Sequence, residues 1–130
     1  MEIFKPINEK KANAKVKRIF NEIKKTRKIT KVPNFWKSIA HNPQLLDRTW
    51  NNLKQIMKDG ALNSVTKELI YVAVSITNSC NYCTRSHTFA AKKKGASEEM
   101  IKEMIDVVGI ANQNNKLVEA YQVEVDKIYK

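Results

Sequence analysis

The residues best suited to chemistry lie in one short stretch of the chain, from Glu68 to His87. This stretch holds both cysteines of the 130-residue sequence, Cys80 and Cys83, three positions apart. At the start of a helix that spacing brings the two Cα atoms to roughly 5–6 Å, a separation that a disulfide tolerates. So small a loop adds little to stability, so the pair is predicted to open and close a reversible bond.

An imidazole and a carboxylate accompany the thiols at helical spacing. His87 follows Cys83 by four residues and is predicted to lie one turn along the same helix face, where it can accept the thiol proton. The free N–H groups of a helix N-terminus also favour a thiolate. Glu68 is expected on the preceding helix, close to its apolar stripe, where a carboxylate needs a partner. If the two helices form an antiparallel hairpin, the three groups meet and form a proton relay.

A zinc site is the alternative chemistry for these residues. Its ligands are Cys80, Cys83, His87 and His41, a set of the types that zinc prefers. Against it, His41 lies in a separate helix break and the chain has no second cysteine pair. In a reducing compartment, two cysteines this close would also make a poor structural disulfide. We therefore expect a redox pair, with neither a metal nor a cofactor.

Helices are the elements predicted to position the site. Apolar residues recur at helical spacing and no period of two persists, which indicates an all-α fold of six or seven helices in a single domain over residues 1–130. The predicted helices are a basic one at 8–28, a short one capped by Asn34, 43–58 with Gly60 as a left-handed stop, Asn63 or Ser64 to about 77, Cys80 to Lys94 closed by Gly95, one capped by Ser97, and about 112–128.

The pattern also predicts which side chains are buried. The helix that begins at Asn63 or Ser64 is apolar on both sides and is expected to be central and most buried. The core is predicted to include Trp36, Trp50, Met57, Met100 and Met104, and the last helix to bury Leu117, Tyr121 and Ile128.

The formal net charge of +11 is concentrated in the first half of the sequence. Residues 1–60 carry +10 and the remainder +1. Such a charge suits a nucleic acid or an anionic surface. However, 20 of the 24 basic residues are lysines and no nucleic-acid motif is present, so we interpret the charge as a solvated helix face or a docking surface for an acidic electron donor.

Membrane association and secretion are not expected from the sequence. The longest apolar runs are far shorter than the ~20 residues that span a bilayer, and the N-terminus lacks the apolar core of a secretory signal. We therefore expect a cytoplasmic protein.

The spacing of the candidate residues resembles the signature of a known family. The string Glu68-x11-Cys80-x-Tyr82-Cys83-x3-His87 is similar to that of the AhpD-like alkylhydroperoxidases, within the carboxymuconolactone decarboxylase superfamily. The flanking segments 32–36, 40–43, 86–88 and 94–96 agree, so the resemblance covers roughly residues 30–115.

This resemblance implies an all-α subunit of a trimer or hexamer that reduces hydroperoxides with a thiol pair. By position, Cys83 resembles the peroxidatic cysteine, Cys80 the resolving cysteine, and Glu68 and His87 members of the proton relay. The implied reductant is an external dithiol, on a lipoyl protein or a thioredoxin-like protein. The decarboxylase branch generally lacks the cysteine pair, so decarboxylation is not expected.

Tyr82 departs from the family pattern, because the founding peroxidases have histidine there. A phenol is a poor general base at neutral pH, so Tyr82 is expected to orient water or substrate. Two alternatives stay open at this stage. One is a general thiol-disulfide oxidoreductase, and the other is a redox-sensing binding module without peroxidase turnover.

Overall fold

The computed structural model describes residues 2–130 and consists of helices joined by short turns. Six α-helices are present in this range: α1 (Ala14–Arg27), α2 (Asn34–Ile39), α3 (Pro43–Met57), α4 (Ser64–Thr77), α5 (Asn81–Lys93) and α6 (Glu98–Ala120). Short 3-10 helices lie at Glu9–Lys11 and Lys127–Tyr129. The predicted all-α class is confirmed. No helix between residues 2 and 130 is long and apolar enough to cross a membrane.

The contacts divide the chain into two compact units, one that runs to Met57 and one from Lys58 to Lys130. The first unit has a continuous apolar core, in which the predicted Trp36 and Trp50 are both buried and meet edge to face with ring centroids 5.4 Å apart. The rest of this core comes mainly from α1 and α3: Val16, Ile19, Phe20, Ile23 and Leu46. The prediction of one domain over the whole chain stays a prediction.

Several helices begin at residues whose side chains satisfy a free backbone amide. Asn63 accepts a hydrogen bond from the N–H of Thr66 at 2.8 Å, and Ser97 accepts one from Met100 at 3.1 Å, as their predicted capping roles require. Asn13 caps α1 in the same way, so this helix starts later than the predicted 8–28. The prediction for α2 is wrong by one residue, because Asn34 is its first helical residue and Pro33 precedes it.

The two predicted glycine stops behave differently. Gly95 follows α5 with φ of 108°, a left-handed conformation that glycine adopts without a steric penalty. The prediction for Gly60 is wrong, because its φ lies outside that region. α3 already ends at Met57, and the Gly60 N–H donates to the Leu62 carbonyl in the following turn.

The C-terminal part forms one long helix instead of the two predicted. Near the predicted start of the second helix, Asn112 and Asn115 donate side-chain hydrogen bonds to the carbonyls of Val108 and Ala111 one turn earlier, so they fit inside α6. The helix ends at Ala120, short of the predicted residue 128. The predicted burial of this end is also wrong, because the side chains concerned are exposed: Leu117, Tyr121 and Ile128.

α4 is less buried than its sequence predicts. Its inward side holds Glu68, Val72 and Ser75, whereas Ile70 and Val74 are 48% and 54% exposed. In the second unit α4 packs against α5 and α6, and these two helices leave its other side uncovered. The methionine prediction also fails in part. Met57 and Met104 are half-buried, and Met100 is exposed.

Candidate functional site

A tight reversal between α4 and α5 sets the position of the two thiols. Ser79 adopts φ of 57°, and the N–H of Cys80 donates to the carbonyl of Ser75 at 2.9 Å. This turn makes Cys80 the residue that caps α5, with its Sγ accepting the N–H of Cys83 at 3.4 Å. Both cysteines are free and half-buried. The N-terminal turn of α5 therefore holds a reduced dithiol.

The pKa values of the two thiols are shifted in opposite directions. The hydrogen bond from the Cys83 thiol, together with the Cys83 backbone N–H, lowers the pKa of Cys80. Burial raises the pKa of Cys83 to about 11, and the hydrogen bond and negative charge of Cys80 contribute in the same direction. The first proton lost from the pair therefore leaves its charge on Cys80. Cys83 needs a base before it can react as a thiolate.

Glu68 and His87 meet inside the second unit, which brings two of the predicted residues together. Glu68 Oε2 lies 2.7 Å from His87 Nδ1, and the residues are only 2% and 7% exposed. Burial raises the pKa of the Glu68 carboxyl, but hydrogen bonds from His87 and Lys94 and the charge of Lys94 outweigh it, so the pKa lies below its ordinary value. An ionised Glu68 accepts the Nδ1 proton and leaves Nε2 as the second ring nitrogen.

Lys94 is a member of this cluster that sequence reasoning missed. Its Nζ donates to Glu68 Oε1 at 2.7 Å, so each oxygen of the carboxylate has its own partner. In the sequence, Lys94 follows Lys92 and Lys93, and all three are cations that suit the C-terminus of α5. One signal for a specific role was available, because a carboxylate near an apolar stripe requires a cation or donor close by.

Tyr71 is the second residue that the sequence pattern did not reveal. Its ring stacks on the imidazole of His87, with centroids 3.5 Å apart and planes inclined by 17°. Tyr71 follows Glu68 by three residues, so the same face of α4 supplies both the carboxylate and the stacking ring. The imidazole is thus held at its edge by Glu68 and across its face by Tyr71.

The remaining candidates are Tyr82 and His41. Tyr82 is exposed in the first turn of α5. His41 belongs to the first unit, where its Nε2 lies 2.7 Å from the carbonyl oxygen of Lys5. Among residues 2–130, no three or more His, Cys, Asp or Glu side chains are grouped so that they could hold a metal ion.

The cluster can bind and release a proton next to a thiol pair. Cys83 and His87 both belong to α5 and are four residues apart, so their Cβ atoms are separated by about one turn, roughly 5–6 Å. A thiol with a raised pKa, a buried imidazole and an ionised carboxylate together suit proton removal from Cys83. The arrangement is suited to thiol redox chemistry.

Because Glu68 is ionised in the folded protein, we expect its protonation in acid to lower the free energy of unfolding. Its folded-state pKa lies below the unfolded value, so it contributes stability above the unfolded pKa that is lost as pH falls through the folded pKa. In urea unfolding series from pH 7 downward, the wild type is expected to lose more unfolding free energy below about pH 5 than Glu68→Gln. The exposed Glu103→Gln is the control and is expected to follow the wild type. Parallel curves for the wild type and Glu68→Gln would contradict the assignment.

Comparisons with known proteins match this chain to a protein family and to a solved structure. Residues 43–124 match the model of the carboxymuconolactone decarboxylase family. The crystal structure of the alkylhydroperoxidase AhpD core from Rhodospirillum rubrum is 44% identical, with a TM-score of 0.85, over 88% of this chain and 85% of that chain.

Two curated relatives are named as uncharacterized proteins. Uncharacterized protein 4 in the cox locus of Paracoccus denitrificans is 42% identical over 52 residues, which are 40% of this chain and 47% of that protein. Uncharacterized protein YdfG of Bacillus subtilis is 36% identical over 50 residues, 38% of this chain and 34% of that protein. The matched part is thus between about a third and a half of the length of these relatives.

Proposed function

The chain belongs to the carboxymuconolactone decarboxylase family, and we propose that it acts as a thiol-dependent alkylhydroperoxidase. The observation that carries this proposal is the free Cys80/Cys83 pair in the first turn of α5, on the helix whose His87 is paired with the buried Glu68. The likeness to the alkylhydroperoxidase core from Rhodospirillum rubrum supports it.

The first step oxidises Cys83. At neutral pH a thiol with a pKa of about 11 is ionised in only about 10⁻⁴ of molecules, so His87 is proposed to take its proton through Nε2. The Cys83 thiolate attacks the terminal oxygen of the hydroperoxide and the O–O bond breaks. Cys83 becomes a sulfenic acid, and the alkoxide takes up a proton to leave as an alcohol.

The second step closes the disulfide. Cys80, whose Sγ still has the Cys83 backbone N–H as a donor, attacks the sulfenic sulfur and water leaves. An external dithiol then reduces the Cys80–Cys83 disulfide by two exchange steps and is itself oxidised to a disulfide. In this scheme Glu68 fixes the tautomer of His87, and the exposed Tyr82 orients substrate or water.

Peroxide-dependent turnover tests the proposal. The purified protein is mixed with an alkyl hydroperoxide and a dithiol donor, and peroxide loss is followed together with the formation of an intramolecular disulfide by mass spectrometry. We expect catalytic peroxide loss, with a loss of two mass units from the protein after peroxide alone. Disulfide formation without turnover with any dithiol would favour the redox-sensing module instead.

A thiol-disulfide oxidoreductase is the second candidate function, and the acidity of Cys80 favours it. The attacking thiol in disulfide exchange must be ionised and accessible, and Cys80 is the thiol whose pKa is lowered. In this function Cys80 attacks a substrate disulfide and Cys83 resolves the mixed disulfide. The two functions are separated by the cysteine that reacts first, since the peroxidase mechanism requires it to be Cys83.

We also propose that the protein is a homo-trimer or homo-hexamer, because the second unit exposes apolar surface on two helices. Ile70 and Val74 on α4 lie one turn apart, and Val107 and Ile110 on α6 are also exposed. A groove of about 270 Å³ runs between α4 and α6 and is lined mainly by apolar side chains. Val74 and Val107 both line this groove, and grouped exposed apolar side chains of this kind mark an interaction site.

Sedimentation analysis tests the oligomer. The wild type is expected to sediment as a trimer or hexamer, and Val74→Lys is expected to shift it towards monomer, because a buried unpaired ammonium destabilises an interface. Asn52→Lys adds the same charge at an exposed polar position of α3, outside the second unit, and is expected to leave the assembly unchanged. A monomeric wild type at micromolar concentration would contradict the proposal.

The proposed reductant is a dithiol on a lipoyl protein or a thioredoxin-like protein. The +10 charge of residues 1–60 suits docking of an acidic carrier, and such attraction weakens with salt. A free thiol pair also suits a reducing compartment, so we infer a cytoplasmic setting.

A further inference from the structure

Lys94 occupies a position that the proposed chemistry leaves without a role. It follows α5 directly, and its ammonium group donates to Glu68 Oε1 at 2.7 Å, while His87 Nδ1 lies 2.7 Å from Oε2. The Lys94 side chain is 37% exposed, whereas that of Glu68 is almost fully buried. The ammonium group therefore reaches from the surface to a carboxylate that has little contact with water.

Charge balance in this cluster depends on Lys94. A buried carboxylate is stable as an anion only when it is paired and hydrogen-bonded. Without Lys94, the partner for the charge of Glu68 in the cluster is His87, and a neighbouring anion favours the protonated imidazolium. A doubly protonated imidazole has no free lone pair and cannot accept the proton of a thiol. The cation bound to Glu68 Oε1 therefore determines whether the imidazole bound to Oε2 can accept a proton.

We propose that Lys94 is a positioning residue for the thiol chemistry: it neutralises Glu68, so that His87 stays uncharged with its proton on Nδ1 and its lone pair on Nε2. Lys94 acts through Glu68. Tyr71, stacked on the imidazole, keeps the ring in the plane in which Nδ1 faces the carboxylate. This inference rests on the proposed function for its purpose, but the state of the His87 ring can be measured without any peroxide.

Nitrogen NMR of the imidazole ring tests the proposal, because ring-nitrogen shifts report which nitrogen carries a proton. At pH 7 the wild type is expected to show Nε2 as a lone-pair nitrogen, and Lys94→Met to move it towards the protonated range. Lys94→Arg keeps the cation and is expected to restore the wild-type shifts. Lys92→Met, whose partner Glu98 is on the surface, is the matched control and is expected to leave them unchanged.

A double variant separates this role from a general effect on packing. In Glu68→Gln the carboxylate charge is absent, so adding Lys94→Met is expected to cause no further movement of the His87 nitrogen shifts. The proposal is overturned if Lys94→Met leaves the shifts unchanged, if Lys94→Arg behaves like Lys94→Met, or if Lys94→Met acts equally in the Glu68→Gln background. Absence of peroxidase turnover with the expected NMR result would refute the proposed function and leave the role of Lys94 intact.

Discussion

Cys83→Ser is expected to reduce peroxide consumption to the background rate of the dithiol donor alone. A serine hydroxyl is not ionised at neutral pH and does not form a sulfenic acid, so the first covalent step is lost. The chain has two cysteines, so thiol counts are unambiguous. The measurement is peroxide loss in the coupled assay, with the oxidation state of the remaining Cys80 followed by mass spectrometry.

Cys80→Ser is the matched variant, and its expected result is different. It removes the hydrogen bond and the negative charge that help to raise the pKa of Cys83, so that pKa should fall from about 11 towards its ordinary value. Sulfenic acid is expected to form at Cys83 and to persist, because no resolving thiol is present. Turnover stops after one event. Full activity of Cys83→Ser, with sulfenic acid at Cys80, would show that Cys80 attacks the peroxide.

His87→Ala is expected to slow disulfide formation after a peroxide pulse by about 10²–10⁴-fold, the range typical of a lost general base. The effect arises because Cys83, with its raised pKa, depends on a nearby acceptor for its proton. Stopped-flow measurement of single-turnover oxidation at pH 7 isolates this step from reduction by the dithiol.

Two further variants separate the chemical role of His87 from its packing. His87→Gln keeps an amide that can donate to Glu68 but has no basic nitrogen, so it is expected to be as slow as His87→Ala. His41→Ala changes the second histidine of the chain, which lies in the other compact unit, and is expected to react at the wild-type rate. A rate for His87→Gln close to that of the wild type would remove His87 from the proton path.

The class and most boundaries of the fold follow from local signals in the sequence. Asn63 and Ser97 start helices because their side chains satisfy backbone amides, and Gly95 ends one because it adopts a left-handed φ. The helix boundaries that were predicted wrongly depend on side-chain hydrogen bonds that a sequence pattern does not reveal. The sequence predicts a separate helix from about residue 112, yet Asn112 lies inside α6 and its side chain bonds back to the carbonyl of Val108.

The sequence predicts the spacing of the site residues, but it does not predict all of the groups that surround Glu68 and His87. The approach of Glu68 to His87 follows from counting residues back from a helix turn, so it was expected. Which of three consecutive lysines reaches Glu68 depends on the direction of each side chain where α5 ends against α4. Lys94 was therefore indistinguishable from Lys92 and Lys93 in the sequence. The stacking of Tyr71 on His87 likewise depends on how the two helix faces meet.

The capping role of Cys80 links the redox state of the protein to the backbone of α5. In the dithiol, Cys80 Sγ accepts the N–H of Cys83 and stabilises the first turn of the helix. Once this sulfur is joined to Cys83 it can no longer become a thiolate and accepts that N–H less well, so amide hydrogen exchange in this turn should be faster after oxidation. A reductant that prefers the loosened turn would bind the oxidised protein more tightly than the reduced protein. It would therefore dissociate more readily once the disulfide has been reduced, which favours release of the spent reductant.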